Sequence, residues 1–204
     1  GVEAYAKSLE FSWQLMVNDD MGALIKSPVK LGNAAERTVN TYFWSIVTSN
    51  PTLADGQALF LASATGNRFK ANYISSGLAV TVQSLSALEN LMRQQVGMNT
   101  RENTQAPDIL NIEPKYLVTP SAIKNTAAAV VKSIADPANT NSNVHNPFTN
   151  ALELITEPLL DANSTTAWYL AADPNLADGI EISFMQGHET PVMWSGMEEK
   201  PLTR

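Results

Sequence analysis

Cysteine is missing from all 204 residues, which excludes disulfides, a thiol nucleophile and any cysteine-based zinc site. Charge is scarce as well: charged side chains make up 16% of the chain, with 13 Lys and Arg against 20 Asp and Glu, for a net charge of −7. Proteins that grip nucleic acid neutralise phosphates with clustered cations. The few cations here are scattered along the sequence, so sequence-specific nucleic-acid binding is not expected. No apolar run approaches the ~20 residues of a membrane-spanning helix, and no membrane partner is expected. Histidine occurs twice, as His145 and His188, each in a polar stretch where solvent exposure is a simpler reading than general-base or metal work. Glycine-rich phosphate loops, the Gly-x-Ser-x-Gly elbow and His-Glu-x-x-His are absent too. No cofactor and no metal site is expected.

What the chain does have is an ordinary apolar fraction, 44%. A chain of this length buries roughly 70% of its unfolded surface, as one large domain or two small lobes sharing a core. Residues 4–17 alternate, with Leu9, Phe11, Trp13, Leu15 and Val17 set against Ser8, Glu10, Ser12 and Gln14, which predicts an extended segment with one buried face. Asn18-Asp19-Asp20 offers caps for a short helix over 21–25. Ser27-Pro28 then predicts the start of the longest helix, about 28–48, with Leu31, Ala35, Val39, Tyr42, Phe43 and Ile46 on its apolar face and Asn50-Pro51 as its stop. Residues 50–77 read as irregular structure. A second helix is predicted over 82–96, capped by Thr81 and stopped by Gly97. Tyr116-Leu117-Val118 reads as a short buried strand, and Thr119-Pro120 as the start of a third helix. The segment 136–146 is almost devoid of apolar side chains and predicts an exposed, mobile loop. Strands over 152–156, 167–172 and 180–185 follow, separated by turn signals at Asp161-Ala162-Asn163 and Asp173-Pro174-Asn175. This order of elements predicts an α+β fold.

Few groups could carry chemistry. Ser121-Ala122-Ile123-Lys124 matches Ser-x-x-Lys at a predicted helix start, where a lysine can deprotonate a serine, but the companion Lys-Thr-Gly is missing. A small serine hydrolase using Ser121 and Lys124 is therefore the minor reading. Asp19-Asp20 is explained by capping and the helix dipole more simply than by paired catalytic carboxylates. Trp13, Trp44 and Trp168 sit in apolar patterns and are expected in the core, whereas Trp194, in the tail, is a candidate interface anchor. From residues alone the reading is an α+β domain without a visible active site.

Several blocks in order resemble the major capsid protein of Mu-like tailed phages and prophages. They are Leu15-Met16-Val17-Asn18-Asp19-Asp20-Met21-Gly22-Ala23, where the family runs a strand into Asn-Asp-Asp-Leu, and Asn50-Pro51-Thr52-Leu53-Ala54-Asp55-Gly56-Gln57-Ala58-Leu59-Phe60. Tyr116-Leu117-Val118-Thr119-Pro120 comes next, followed by Leu154-Ile155-Thr156-Glu157-Pro158 and Ala167-Trp168-Tyr169-Leu170-Ala171-Ala172-Asp173-Pro174. The blocks span most of the chain. Two departures stand out: the family's histidine-containing segment is replaced by Leu61-Ala62-Ser63-Ala64-Thr65-Gly66-Asn67, and Trp13 stands where arginine is common.

The resemblance implies the Hong Kong 97-type capsid fold, with residues 1–74 holding part of a peripheral domain, the end of a projecting loop and a spine helix at about 28–48. Residues 75–186 would form the axial domain and 187–204 return to the peripheral one. The polar loop, with Asn139, Asn141, Asn143 and His145, becomes a candidate axis-facing or intersubunit contact. The implied role is structural and not enzymatic: a subunit of an icosahedral head that encloses DNA, made in the host cytoplasm and carried in the virion capsid. Its implied partners are other copies in hexamers and pentamers, with a prohead protease or scaffold. The family continues beyond both ends, so a processed or truncated chain is expected. A cellular nanocompartment shell of the same fold is the alternative.

Overall fold

The computed structural model describes residues 6–18, 22–54, 56–62, 71–74, 77–97, 108–141, 144–177, 179–187, 190 and 192. It divides into two units, Gly1–Phe43 with Ile182–Arg204, and Trp44–Glu181.

The second unit is built on a three-stranded sheet. Its middle strand is β3 (Pro114–Thr119), paired in parallel with β4 (Glu153–Thr156) and antiparallel with β5 (Tyr169–Ala172). Period-two alternation sorts the side chains of each strand between two faces. On one face Leu117 stands in register with both Leu154 and Leu170. These pack with Leu85 of α3 (Val82–Arg93) and with Ala127, Val130 and Val131 of α4 (Lys124–Lys132) into the main core, which Val80, Phe148 and Leu152 complete. On the other face Val118 pairs with Ile155 and Tyr169, and the Tyr169 ring lies 5.5 Å from that of Phe60.

Local chemistry sets the element ends. Thr81 caps α3 reciprocally: its hydroxyl accepts from the Ser84 amide at 3.1 Å while the Ser84 hydroxyl accepts from the Thr81 amide at 2.9 Å. The chain leaves α3 three residues earlier than residue 96, because Val96 and Gly97 pair with Ile109 and Asp108 instead of continuing the helix. Residues 50–77 hold more order than their composition suggests. Asn50, in a left-handed conformation (φ 47°), uses its side-chain amide to bond both the N–H and the C=O of Phe60, closing the intervening loop. Asn72 does the same for the N–H of Leu61 and the C=O of Leu59, and fixes the short parallel pair β1 (Leu61–Ala62) and β2 (Ala71–Tyr73).

The first unit departs further from the periodicities. The extended segment expected over 4–17 contains α1 (Trp13–Val17), with Ser12 accepting from the Leu15 amide as its cap. Leu9, Phe11, Leu15 and Val17 are all exposed, so the alternation finds no second layer among the described residues and a local cap decides the conformation. The separate helices expected over 21–25 and 28–48 are one element, α2 (Ala23–Ser49), with Pro28 inside it. Proline there removes one amide donor near the helix start, a cost that 27 continuous residues outweigh. No strand forms over 180–185; Ile180, Ile182, Phe184 and Met185 are exposed there, and no partner strand is present among the described residues.

Thr119 supplies a first test. Its side chain is fully buried, and its hydroxyl has no hydrogen-bond partner among the described residues. A hydroxyl that leaves water without gaining a partner costs about 1–3 kcal/mol. Thr119→Val should therefore raise the urea midpoint with an unchanged slope; a lower midpoint would reveal a hidden partner for the hydroxyl.

Candidate intersubunit surface

A helix leaves its last four carbonyls without internal partners. α4 ends at Lys132, and the residues that answer its terminal carbonyls come from the far end of the polar loop. Asn146, fully buried, donates from its side-chain amide to Val130 O at 2.5 Å and to Ser133 O at 2.9 Å, while its amide oxygen accepts from the Phe148 N–H at 3.0 Å. The Thr149 hydroxyl also donates to Ser133 O, at 2.7 Å, and the Asn150 N–H to Val131 O, at 2.8 Å. Above this clamp, Ala135 and His145 form an antiparallel bridge, with Asp136 N–H bonded to Val144 O and Asn146 N–H to Ile134 O, each at 3.0 Å.

The loop is thus exposed as expected, and its neck is tied down by these hydrogen bonds. Asp136 and Asn139 turn the chain further out, their side chains accepting from the Ala138 and Asn141 amides. Asn139, Asn141 and His145 are exposed on this projection, and Asn143 lies outside the described residues. Ile134, 75% exposed, stands beside them at the neck. Trp194, the candidate anchor, and His188 lie outside the described residues as well. Trp168 packs against the core and donates from its indole to Leu78 O at 2.8 Å; the Trp13 side chain lies outside the description.

Ser121 and Lys124 lie at the opposite end of α4. The 3₁₀ turn Ser121–Ile123 leads into the helix, and its orphan amides are met by Asp161: Ser121 N–H at 2.9 Å and Ala122 N–H at 3.2 Å. Burial pulls the Asp161 carboxyl upward, but the Ala122 and Ser121 amides, with the Ser121 hydroxyl, outweigh it and hold the carboxyl below the ordinary value of 3.8. The Ser121 hydroxyl is therefore engaged with a carboxylate as part of a helix start. Asp161→Ala should lower the melting temperature by a few degrees. A depressed folded-state pKa means this stabilisation is present above the unfolded-state pKa and is lost as pH falls through the folded one. The melting-temperature gap between wild type and Asp161→Asn should accordingly close in acid below pH 3.8, and a gap constant into strong acid would remove Asp161 from the cap.

The remaining ionic contacts are superficial. The Lys115 ammonium lies 2.5 Å from Asp173 and 5.3 Å from the centre of the Tyr116 ring; the pairing raises the lysine and lowers the aspartate from their ordinary values. Arg93 bridges Glu89 at 2.9 Å and Glu113 at 2.8 Å and donates to Asn111. Among the described residues no group of His, Asp and Glu could hold a metal ion, and no helix is long and apolar enough to cross a membrane. Sequence reasoning missed Asn146 and Asp161. Asn146-Pro147 was the available signal, a dipeptide that favours turn initiation.

Exposed Ile134 and Val144 at the neck of a projecting, anchored polar loop suit contact with another protein better than turnover of a small molecule. A family model described as phage capsid protein matches residues 2–203. No curated protein and no solved structure matches the chain.

Proposed function

Because the chain belongs to the phage capsid protein family, we propose that it is the major head subunit of a Mu-like tailed phage or prophage, self-assembling into an icosahedral shell around DNA. Membership in the family, shown over residues 2–203, makes it a structural capsid protein of the virion and is the observation that carries the proposal. The mixed helix and sheet architecture is compatible with a Hong Kong 97-type subunit, in which α2 would serve as the spine. In that assignment residues 1–74 and 187–204 belong to the peripheral domain and 75–186 to the axial one. The anchored loop carrying Asn139, Asn141, Asn143 and His145 would face a symmetry axis or a neighbouring copy, and Trp194 would anchor a contact.

The mechanism is assembly. Many symmetric contacts, each modest, sum to a closed lattice and bury surface that the single chain leaves exposed. A prohead protease or scaffold in the host cytoplasm would act on or beneath that lattice. Electron microscopy of the full-length protein produced with its neighbouring genes should show closed shells. Particles that never exceed a monomer under any condition would overturn the proposal.

A further inference from the structure

α2 carries its cations on one side. Lys26, Lys30 and Arg37 are spaced by four and seven residues, which at 3.6 residues per turn places them within an arc of about 40°. All three are exposed, and none has an ion pair among the described residues. The single acid of the helix, Glu36, falls outside that arc. No other described helix or strand packs extensively along α2. Among the described residues the arc is therefore an unpartnered basic stripe, on a chain whose net charge is −7.

The opposite sign is found in the unit Trp44–Glu181, which contains twelve acids and seven cations. Its sheet ends at β4, an edge strand with no neighbour on its outer side among the described residues. On the face of β4 turned away from the core, Glu153 is exposed and Ile155 is 38% exposed; Glu157, half-buried, continues the same alternation just beyond the strand, and one of its carboxylate oxygens accepts from the Leu159 amide at 3.0 Å. Two carboxylates four residues apart on an extended chain stand about 13 Å apart. Lys30 and Arg37 stand about 10 Å apart along the helix axis, a difference their long side chains can span. Lys and Arg also lay aliphatic stems over apolar surface while the charge remains at its partner, which suits Ile155.

We propose that the Lys26–Lys30–Arg37 stripe docks on the β4 edge of a second copy of the chain, its cations facing Glu153 and Glu157 and its stems covering Ile155. The inference rests on the capsid-subunit reading and names the contact through which copies would join. Stripe and edge are different surfaces, so the contact is heterologous: each copy offers both, and the chain of contacts ends only by closing into a ring. A nucleic-acid partner would gain little here, since three neutralised phosphates give a salt slope of only about −2.7. The acidic edge supplies both the charge and the apolar patch that the stripe can use.

Association of the full-length protein is measured by sedimentation at increasing NaCl for wild type, Lys30→Glu, Arg37→Glu, Glu153→Lys and the double exchange Lys30→Glu with Glu153→Lys. Wild-type association should weaken with salt, each single reversal should weaken it about tenfold or more at low salt, and the double exchange should recover most of the loss. Circular dichroism identifies any variant that fails to fold, and the three surface reversals provide independent arms. Normal association by every reversal, or no recovery in the double exchange, overturns the docking while leaving the subunit reading intact. Wild type that never associates overturns both. Stripe variants that associate normally but no longer bind a short DNA duplex overturn it in favour of a nucleic-acid role.

Discussion

Leu117→Ala should destabilise the chain by about 3–5 kcal/mol, the range for a buried leucine whose site cannot collapse. Leu117 is 0% exposed and occupies the middle of the central strand. Leu154 flanks it in register on one side and Leu170 on the other, and both are held by ladders that cannot close over a void. Below them Leu85, Ala127 and Val130 come from two helices whose positions are fixed by caps at Thr81 and Asp161. The melting temperature should fall by roughly 10 °C, with the denaturant slope unchanged if unfolding stays cooperative. Ile134→Ala is the matched control. At 75% exposure it removes a comparable aliphatic side chain from water rather than from packing and should change stability by no more than about 0.5 kcal/mol. Equal losses for the two variants would mean that the inner face of the sheet is not the core.

The same contrast explains what could be read from the sequence. α3, β3, α4, β4 and β5 were legible because in each a period agrees with a local signal: Thr81 before an apolar helical stripe, or Leu117 and Val118 between turn residues. Where period and local signal disagreed, the pattern misled. Leu9 to Val17 alternate like a strand, yet the described residues provide no sheet to receive them, and Ser12 caps a helical turn. Pro28 has the marks of a helix start, but the chain is already helical from Ala23. A proline costs most when it interrupts established hydrogen bonds far inside a helix, and much less near the N-terminus, so its presence bounds a helix only weakly.

The candidate surface was half legible. An exposed polar loop over 136–146 follows directly from composition, because a segment without apolar side chains cannot be drawn into a core. Its anchoring does not follow. The clamp depends on where the carbonyls of α4 end in space, and composition counts Asn146 with the other asparagines of the loop, although it is the fully buried one. Asp161 was likewise counted as a turn signal, while its carboxylate serves amides forty residues earlier. Polar side chains acting over long sequence separations leave no periodic trace.

The clamp is where a single polar substitution should cost most. Asn146→Ala removes the side-chain partner of the buried Val130 O, of the buried Phe148 N–H and, in part, of the half-buried Ser133 O. Thr149 still serves Ser133 O, so the loss falls mainly on Val130 O and the Phe148 amide, about 3 kcal/mol in all. Because the clamp closes the neck, hydrogen exchange should accelerate first at the Asp136 and Asn146 amides, while β3 stays protected. Asn146→Asp separates hydrogen bonding from shape. At neutral pH its carboxylate would point at two carbonyl oxygens in a buried site, and the variant should be at least as unstable as the alanine one. Burial and those carbonyls raise the pKa of the introduced carboxyl above its unfolded value of about 3.9, so folding favours the protonated form. The destabilisation is then full above the raised folded-state pKa and diminishes as pH falls toward the unfolded one, where a neutral carboxyl can donate to one carbonyl. The acid loss through Asp161 is common to both proteins, so the gap between them narrows through the introduced carboxyl alone. If Asn146→Ala melts within a degree of wild type, or Asn146→Asp shows no recovery in acid, the neck of the loop is held by its backbone bridge alone, and the side chain of Asn146 is not what fixes the projection.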